Sequence, residues 1–374
     1  MPATPRVLLA PVTVTPTKPL TPSHLKGLLW TDVMCRATGR LLDVTYRYSP
    51  TAYHPTEQTL GFWEYLDRTV GDTDYSTFTE EDVGKYYVDF RAAGERVPAA
   101  ALAPYADAVE QGWVHPASVR VLERWSAHYA RLGLRDPGLL AHQPPGLGLE
   151  ETVARLAERD LCLDLRGHGG HVYLDATRHG VPLRQVVTAD GRPNLLACAL
   201  RELVPLVPAY DEVVLLHDRE LEADYVLLQR VLSHFGPAVR RVALGRVPID
   251  GRIRPARYGD WGATTAGALL DAAEADHDDA AVRLGMRLYF IAGLGPGQRE
   301  SFRHDLLRQS LTRAARMLAA DRAGDRPVDP APVPEVLARH RGGHLHVDPY
   351  RLTCALLARH RPGPSPDLLS AVYL

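Results

Sequence analysis

The chain contains few cysteines and has no excess of charge of either sign. Its 374 residues include four cysteines, and 43 Lys and Arg against 45 Asp and Glu give a formal net charge of −2. The cysteines are scattered without a C-x-x-C pair, which argues against a disulfide framework and against a structural zinc site. We therefore expect reduced core thiols in a cytoplasmic protein. They are Cys35, Cys162, Cys198 and Cys354.

Long apolar runs are also absent. Residues 1–14 lack the apolar core of a signal peptide, and no stretch approaches the length of a membrane span. Hydrophobic residues make up 45% and charged residues 24%, which is typical of a globular protein with a sizeable core. At this length we expect a large catalytic core with a smaller appendage and no membrane partner.

The segment 16–27 is the first candidate for a binding site. It lies between an apolar run, 7–14, that predicts a buried strand and a helical pattern, 25–38, that ends at Gly39. The first backbone N–H groups of a helix lack intrahelical partners and favour a bound anion. A second strand at 41–48 would complete a βαβ unit, which puts the start of this helix at the ligand-binding edge of a parallel sheet.

The same residues resemble a known motif. Pro-Thr-Lys-Pro-Leu-Thr-Pro-Ser-His at 16–24 is similar to the HIGH region of class I aminoacyl-tRNA synthetases, closest to the arginyl/methionyl type. His24 matches the second histidine of that motif, Thr21 occupies the place of the first, and Ser23 occupies the place of the glycine. The resemblance implies that His24 and Lys26 act in catalysis. It also implies an ATP site formed by Thr17, Lys18, Thr21, Ser23 and His24.

A second resemblance covers residues 186–218. Residues 186–196 are similar to the Ser-Asp-Gly-Thr-Pro-Thr-Tyr-Leu segment of the arginyl enzymes, and the run 212–218 predicts a parallel strand that ends in two polar residues. The resemblance implies that Asp190, His217 and Asp218 contact the nucleotide or the amino group. Asn194 is a candidate helix cap and substrate contact.

One departure from the arginyl pattern concerns the substrate. Where those enzymes have an Arg-Asp pair on the following helix, this chain has Cys198-Ala199. A buried guanidinium without polar partners would cost several kcal/mol. We therefore expect a different or smaller side chain than that of arginine.

Residues 249–261 occupy the place of the KMSKS loop, whose lysines surround the triphosphate. The lysines are absent, and 257–261 resembles the Arg-Ala-Gly-Asn-Phe that follows them. Arg252, Arg254 and Arg257 would supply the positive charge, since arginine binds phosphate oxygens bidentately. We expect Arg254 and Arg257 to act in catalysis and Arg252 to bind the nucleotide. The alternative is an exposed basic loop that holds no phosphate.

Aromatic and histidine side chains provide weaker candidates. Tyr46, Tyr48, Tyr53 and His54 lie at the end of the second predicted strand and are candidate substrate contacts, although aromatic residues usually serve packing.

A predicted hairpin, 161–175, carries two histidines in its turn and is a candidate metal site. Histidines in such turns are mostly solvated, and we expect no metal there. The pair His344 and His346 is interpreted as surface.

The predicted fold class is α/β: a doubly wound parallel, Rossmann-like (HUP-type) sheet with a helical C-terminal appendage. The predicted divisions are 1–130, the first half of the catalytic domain; 131–185, an insertion; 186–275, the second half with the KMSKS-like loop; 276–323, a helical region; 324–334, a linker; and 335–374, a small helical segment.

The resemblance implies an ATP-dependent, AMP-forming ligase that uses ATP and Mg²⁺. Neutral overall charge and the lack of a large anticodon-reading domain favour transfer of the activated amino acid to a small-molecule amine or hydroxyl, as in natural-product biosynthesis, without tRNA. Two alternatives stay open: a binding or regulatory relative that has lost catalysis, and a tRNA-dependent synthetase. The sequence also leaves open a homodimer.

Overall fold

The computed structural model describes residues 4–11, 14–47, 54, 56–141, 146–253, 258–297, 300–323, 328–358 and 363–374. Strands in these ranges form two sheets. The strands are β1 (Arg6–Pro11), β2 (Asp43–Tyr46), β3 (Cys162–Asp164), β4 (Val172–Ala176), β5 (Val181–Val187), β6 (Glu212–Asp218) and β7 (Ala238–Leu244).

Helices pack against both sheets. In the first half of the chain they are α1 (Pro22–Gly39), α2 (Glu57–Thr69), α3 (Glu80–Ala93), α4 (Ala99–Glu110) and α5 (Pro116–Leu132). The middle of the chain contributes α6 (Leu149–Ala157), α7 (Leu195–Leu203), α8 (Glu222–Ser233), α9 (Ala266–Glu274) and α10 (Asp279–Arg287). A π-helix (Leu288–Gly293), α11 (His304–Ala323), α12 (Val333–Ala338), α13 (Pro349–Leu356) and α14 (Pro366–Val372) follow.

The main sheet is parallel and has the strand order β2-β1-β6-β7. Side chains alternate along β1: Val7 and Leu9 pack in a cluster with Met34 of α1, whereas Leu8 packs with Val231 of α8. Helices therefore cover both faces, and the predicted doubly wound sheet is confirmed. The chain passes from β1 to β2 on one side of β1, and it later enters β6 on the other side of β1. This reversal leaves a crevice where β1 and β6 end.

The smaller sheet is antiparallel, with the order β3-β4-β5. The predicted hairpin is present as β3 and β4. Sequence analysis did not predict β5, which begins Val181-Pro182 and is largely exposed. Proline is compatible with a strand at a sheet edge, but neither it nor the exposed residues give the apolar alternation that marks a strand.

The C-terminal region packs against the main sheet through buried contacts. Gly285 of α10 lies so close to α11 that a Cβ there would stand 2.7 Å from Cα of Leu311. The interpretation of the histidine pair as surface is wrong for His346, which is 5% exposed and places Nδ1 2.8 Å from Glu212 at the start of β6. His344 is exposed and stacks on His346.

Candidate active site

A cavity of about 260 Å³ lies where β1, β6 and β7 end and α1 begins. We refer to this cavity as the cleft. Polar side chains from four separate segments line it, which places them at the edge where parallel α/β sheets bind ligands. They include Lys18, Thr21, Ser23, His24, Gln58, His217, Asp218 and Arg246.

His24 is fixed by the start of α1. Thr21 is the N-cap of this helix, and its backbone N–H donates to Nδ1 of His24 at 3.0 Å. Burial, together with the positive charges of Lys18 and Arg246, lowers the pKa of His24 to about 3. The ring is therefore neutral, and because Nδ1 accepts a hydrogen bond, its proton lies on Nε2. His24 can therefore donate a hydrogen bond from Nε2 to a ligand in the cleft.

Lys18 and Arg246 make the cleft positive. The ammonium of Lys18 lies over the ring of Tyr87, 5.1 Å from its centroid, and the residue is 9% exposed. Burial and the charge of Arg246 lower the pKa of Lys18 to about 8. Two cations and a neutral donor in one cleft favour an anionic ligand, whose charge would relieve the repulsion between the cations.

Asp218 partly offsets this charge. Its Oδ2 accepts a hydrogen bond from Nε of Arg246 at 2.9 Å, while burial raises its pKa despite the guanidinium. His217, the preceding residue, stacks on Tyr225 with ring centroids 4.4 Å apart and places Nε2 2.9 Å from Glu222. The end of β6 thus presents a positioned carboxylate beside the guanidinium.

The position of Arg246 depends on α1. Ser23 accepts a hydrogen bond from the backbone N–H of Val247 at 2.9 Å, and Lys26 donates to the carbonyl of Gly245 at 2.9 Å. These two contacts hold the residues on either side of Arg246. Lys26 is 1% exposed and also lies 3.5 Å from the carbonyl of Pro296. The structure therefore shows a positioning contact of Lys26, and the catalytic role that the motif implies stays a prediction.

Other predicted nucleotide contacts lie elsewhere. Thr17 is fully buried, and Asp190 is in an exposed turn with Thr188 and Arg192. Arg252 is exposed and forms an isolated bridge with Ile249. In the part of the chain that the structure describes, none of these three predicted residues lines the cleft.

The predicted substrate contacts that the structure describes do not lie together in one site. Asn194 caps α7, accepting from the N–H of Ala197 at 3.1 Å, and donates to the carbonyl of Gln185 at 2.8 Å. Tyr46 packs against the hydrophobic core. His54 is 2% exposed and lines a small chamber next to the cleft. Four predicted residues fall outside the described ranges: Tyr48, Tyr53, Arg254 and Arg257.

Sequence analysis missed Arg246 and Tyr87. Arg246 follows β7 (Ala238–Leu244) by two residues, so the rule that singled out Asp218 at the end of its own strand applies to it as well. The contact between Tyr87 and Lys18 joins segments 69 residues apart that no local pattern connects.

Within the described ranges, no group of three or more His, Cys, Asp or Glu side chains is arranged to hold a metal ion. The cysteines are free, and all but the partly buried Cys354 are buried. None of the helices described above combines the length and the apolarity that crossing a bilayer requires.

Fold and cleft together define a Rossmann-like α/β protein with a polar cleft at the carboxyl edge of its parallel sheet. The more specific likeness comes from solved structures: the chain has the fold of a class I aminoacyl-tRNA synthetase catalytic domain. Against the arginyl-tRNA synthetase of Thermus thermophilus the TM-score is 0.60 at 17% identity, over 87% of this chain and 65% of that one.

Two further structures are similar at lower scores. A putative arginyl-tRNA synthetase from Campylobacter jejuni gives a TM-score of 0.47 at 13% identity, over 99% of this chain and 90% of that one. The arginyl-tRNA synthetase of Plasmodium falciparum gives 0.49 at 11% identity, over 84% and 51%. No protein-family model matches the sequence, and a search of curated proteins finds no match.

Proposed function

We propose that the protein activates an amino acid with ATP and passes the acyl group to a small-molecule amine or hydroxyl without tRNA. The observation that carries this proposal is the convergence of Lys18, Arg246 and neutral His24 at the end of β1 and β6. This set fits a triphosphate, which needs cations and a hydrogen-bond donor at a helix start.

The reaction has two steps. A carboxylate oxygen of the amino acid attacks the α-phosphorus of ATP, forming an acyl-adenylate as the bond to pyrophosphate breaks. The amine or hydroxyl of the acceptor then attacks the acyl carbon, the bond to AMP breaks, and the acceptor proton passes to solvent. Lys18, Arg246 and Nε2 of His24 would stabilise the negative charge that accumulates on the phosphates in the first step.

Mg²⁺ fits this site as a companion of ATP. Asp218 is the carboxylate in the cleft, and it is already paired with Arg246. Because Mg²⁺ is commonly bound by one or two carboxylates together with substrate phosphates, the phosphate oxygens would supply most of its ligands. The ion would neutralise phosphate charge in addition to the two protein cations.

A small acceptor agrees with the charge of the chain. The formal net charge is −2, whereas tRNA binding depends heavily on contacts between basic side chains and phosphates. Transfer to a small molecule needs no such surface. A tRNA-dependent reaction and a regulatory, non-catalytic role are the alternatives that the experiment must separate.

The test combines calorimetric binding of ATP with amino-acid-dependent exchange of pyrophosphate into ATP, without tRNA. Arg246→Met should weaken ATP binding by about 10- to 100-fold, as expected for losing a hydrogen bond from a charged donor. The matched control is Arg230→Met, which removes an exposed arginine of α8.

Each outcome assigns a function. Exchange with an amino acid supports the proposal, and exchange only after tRNA is added favours a synthetase. ATP binding without exchange under either condition favours a regulatory protein. Failure of the wild-type protein to bind ATP overturns the proposal.

A further inference from the structure

A small chamber of about 50 Å³ adjoins the cleft, because Pro11, Leu195 and Leu221 line both spaces. We refer to it as the side chamber. Most of its wall is apolar and comes from β1, β6, α7 and α8. A group bound in the cleft could therefore extend a short substituent into the side chamber.

One wall of the side chamber is polar and contains an unsatisfied carboxylate oxygen. Glu202 is 97% buried at its side chain, and its Oε2 accepts hydrogen bonds from Nε and Nη2 of Arg47 at 3.1 and 2.9 Å. Its Oε1 is buried and has no hydrogen-bond partner among the residues that the structure describes. Leaving a buried acceptor of this kind unpaired is unfavourable, so Oε1 is a site for a donor brought by a ligand.

The charges around Oε1 favour an uncharged donor. Arg47 already neutralises Glu202, and Asp224, which also lines the side chamber, is paired with Arg184 at 2.9 Å. Burial, followed by the charges of Arg201 and Arg47, lowers the pKa of His54 to about 3, so this ring is neutral. A positively charged donor would be repelled by the guanidinium of Arg47, and no unpaired negative charge is left to offset that repulsion. A hydroxyl carries no charge and can donate to Oε1 without this cost.

The size of the side chamber limits the substituent further. Its volume of about 50 Å³ compares with the roughly 10–15 Å³ that one water needs on the same measure. About three to five non-hydrogen atoms therefore fit, which admits the side chain of serine or threonine but not the longer, guanidinium-bearing side chain of arginine. Ala199, the residue at the Asp position of the arginyl pattern, lines the side chamber and contributes to this space.

We propose that the side chamber holds the side chain of a small hydroxylated amino acid, of the serine or threonine class, whose hydroxyl donates to Oε1 of Glu202. This inference rests on the proposed function and names its substrate class. Alanine would fill part of the space and leave the carboxylate oxygen unpaired. A site built to bind a hydroxyl discriminates strongly against the analogue that lacks it.

The test measures binding of L-serine, L-threonine, L-alanine and L-arginine by calorimetry with a non-hydrolysable ATP analogue present, and pyrophosphate exchange with the same four. We expect serine or threonine to exceed alanine in exchange efficiency by at least about 100-fold. Ala199→Leu should abolish this exchange while ATP binding stays unchanged, because the added carbons occupy the side chamber. Ala223→Leu, at an exposed position of α8, is the matched control and should behave like the wild type.

Glu202→Gln provides a second variant of nearly the same shape. It should reduce the preference for serine or threonine over alanine at least tenfold. Preference for alanine or arginine, or no binding of serine and threonine to protein that binds ATP, overturns the inference and leaves ATP binding in place. Loss of ATP binding itself instead overturns the proposed function.

Discussion

The backbone N–H of Thr21 donates a hydrogen bond to Nδ1 of His24, three residues further along, at 3.0 Å. This contact closes the first turn of α1 and simultaneously fixes which ring nitrogen carries the proton. A substitution at His24 can therefore separate the structural role of the ring from its role in binding a ligand.

His24→Asn should retain the cap and lose the donor. Its side-chain oxygen can still accept from Thr21, but no group replaces Nε2 in the cleft. We expect the melting temperature to change little and pyrophosphate exchange to fall by about 10²- to 10³-fold, the usual cost of removing one donor to a transition state. His24→Gln, which reaches further, should recover part of the rate; equal rates in wild type and His24→Asn would contradict a role for Nε2.

The affinity for ATP should depend on pH through Lys18. Its pKa in the free protein is about 8, and a bound triphosphate would keep it protonated. Affinity should thus be constant below about pH 7 and weaken above about pH 8 by up to tenfold per unit, because binding then requires uptake of a proton. Calorimetry from about pH 7 to about pH 9.5 measures this slope.

Two variants identify the group responsible for that slope. Lys18→Arg stays charged throughout and should give a flat profile. Burial also lowers the pKa of Lys26 to about 8, so Lys26→Arg is the matched control and should keep the slope of the wild type. A flat profile in Lys26→Arg but not in Lys18→Arg would contradict the assignment.

Lys26→Met should affect stability more than ligand binding. The change removes the donor from the carbonyls of Gly245 and Pro296, and we expect the free energy of unfolding to fall by about 1–3 kcal/mol. Urea denaturation measures this loss. In the folded fraction, Lys26→Met should weaken the affinity for ATP less than Lys18→Met does. The reverse order would support the catalytic role that the motif implies for Lys26.

Gly84→Ala tests how the segment after residue 257 is anchored. A Cβ at Gly84 would overlap the ring of Trp261 and lie 3.0 Å from Pro19, so one of them must move. Overpacking of this kind costs about 1–3 kcal/mol, although alanine is normally the better helix residue. At Gly27 of α1 the added carbon would meet no described atom within 4 Å apart from its chain neighbours and the backbone of its own helix. Gly27→Ala should therefore match or exceed the wild type in thermal stability by up to about 1 kcal/mol; equal melting temperatures for the two variants would argue against the clash.

The elements of the main sheet were predictable because each has a strong local pattern. The apolar run of β6 is bounded by a turn before it and by His217-Asp218 after it. By contrast, β5 is exposed along most of its length and starts with a proline-containing pair, so its place depends on pairing with β4.

The sequence by itself determined the parallel α/β fold, the position of His24 at the start of a helix and the polar end of β6. Periodicity and capping act over a few residues, which is the range that a sequence pattern can reveal. Tertiary structure alone decided that Lys26 turns to the carbonyl of Gly245 and that Glu202 has a carboxylate oxygen without a partner among the described residues. Those outcomes depend on contacts between distant segments, where burial and charge pairing choose among side chains that look equivalent in the sequence.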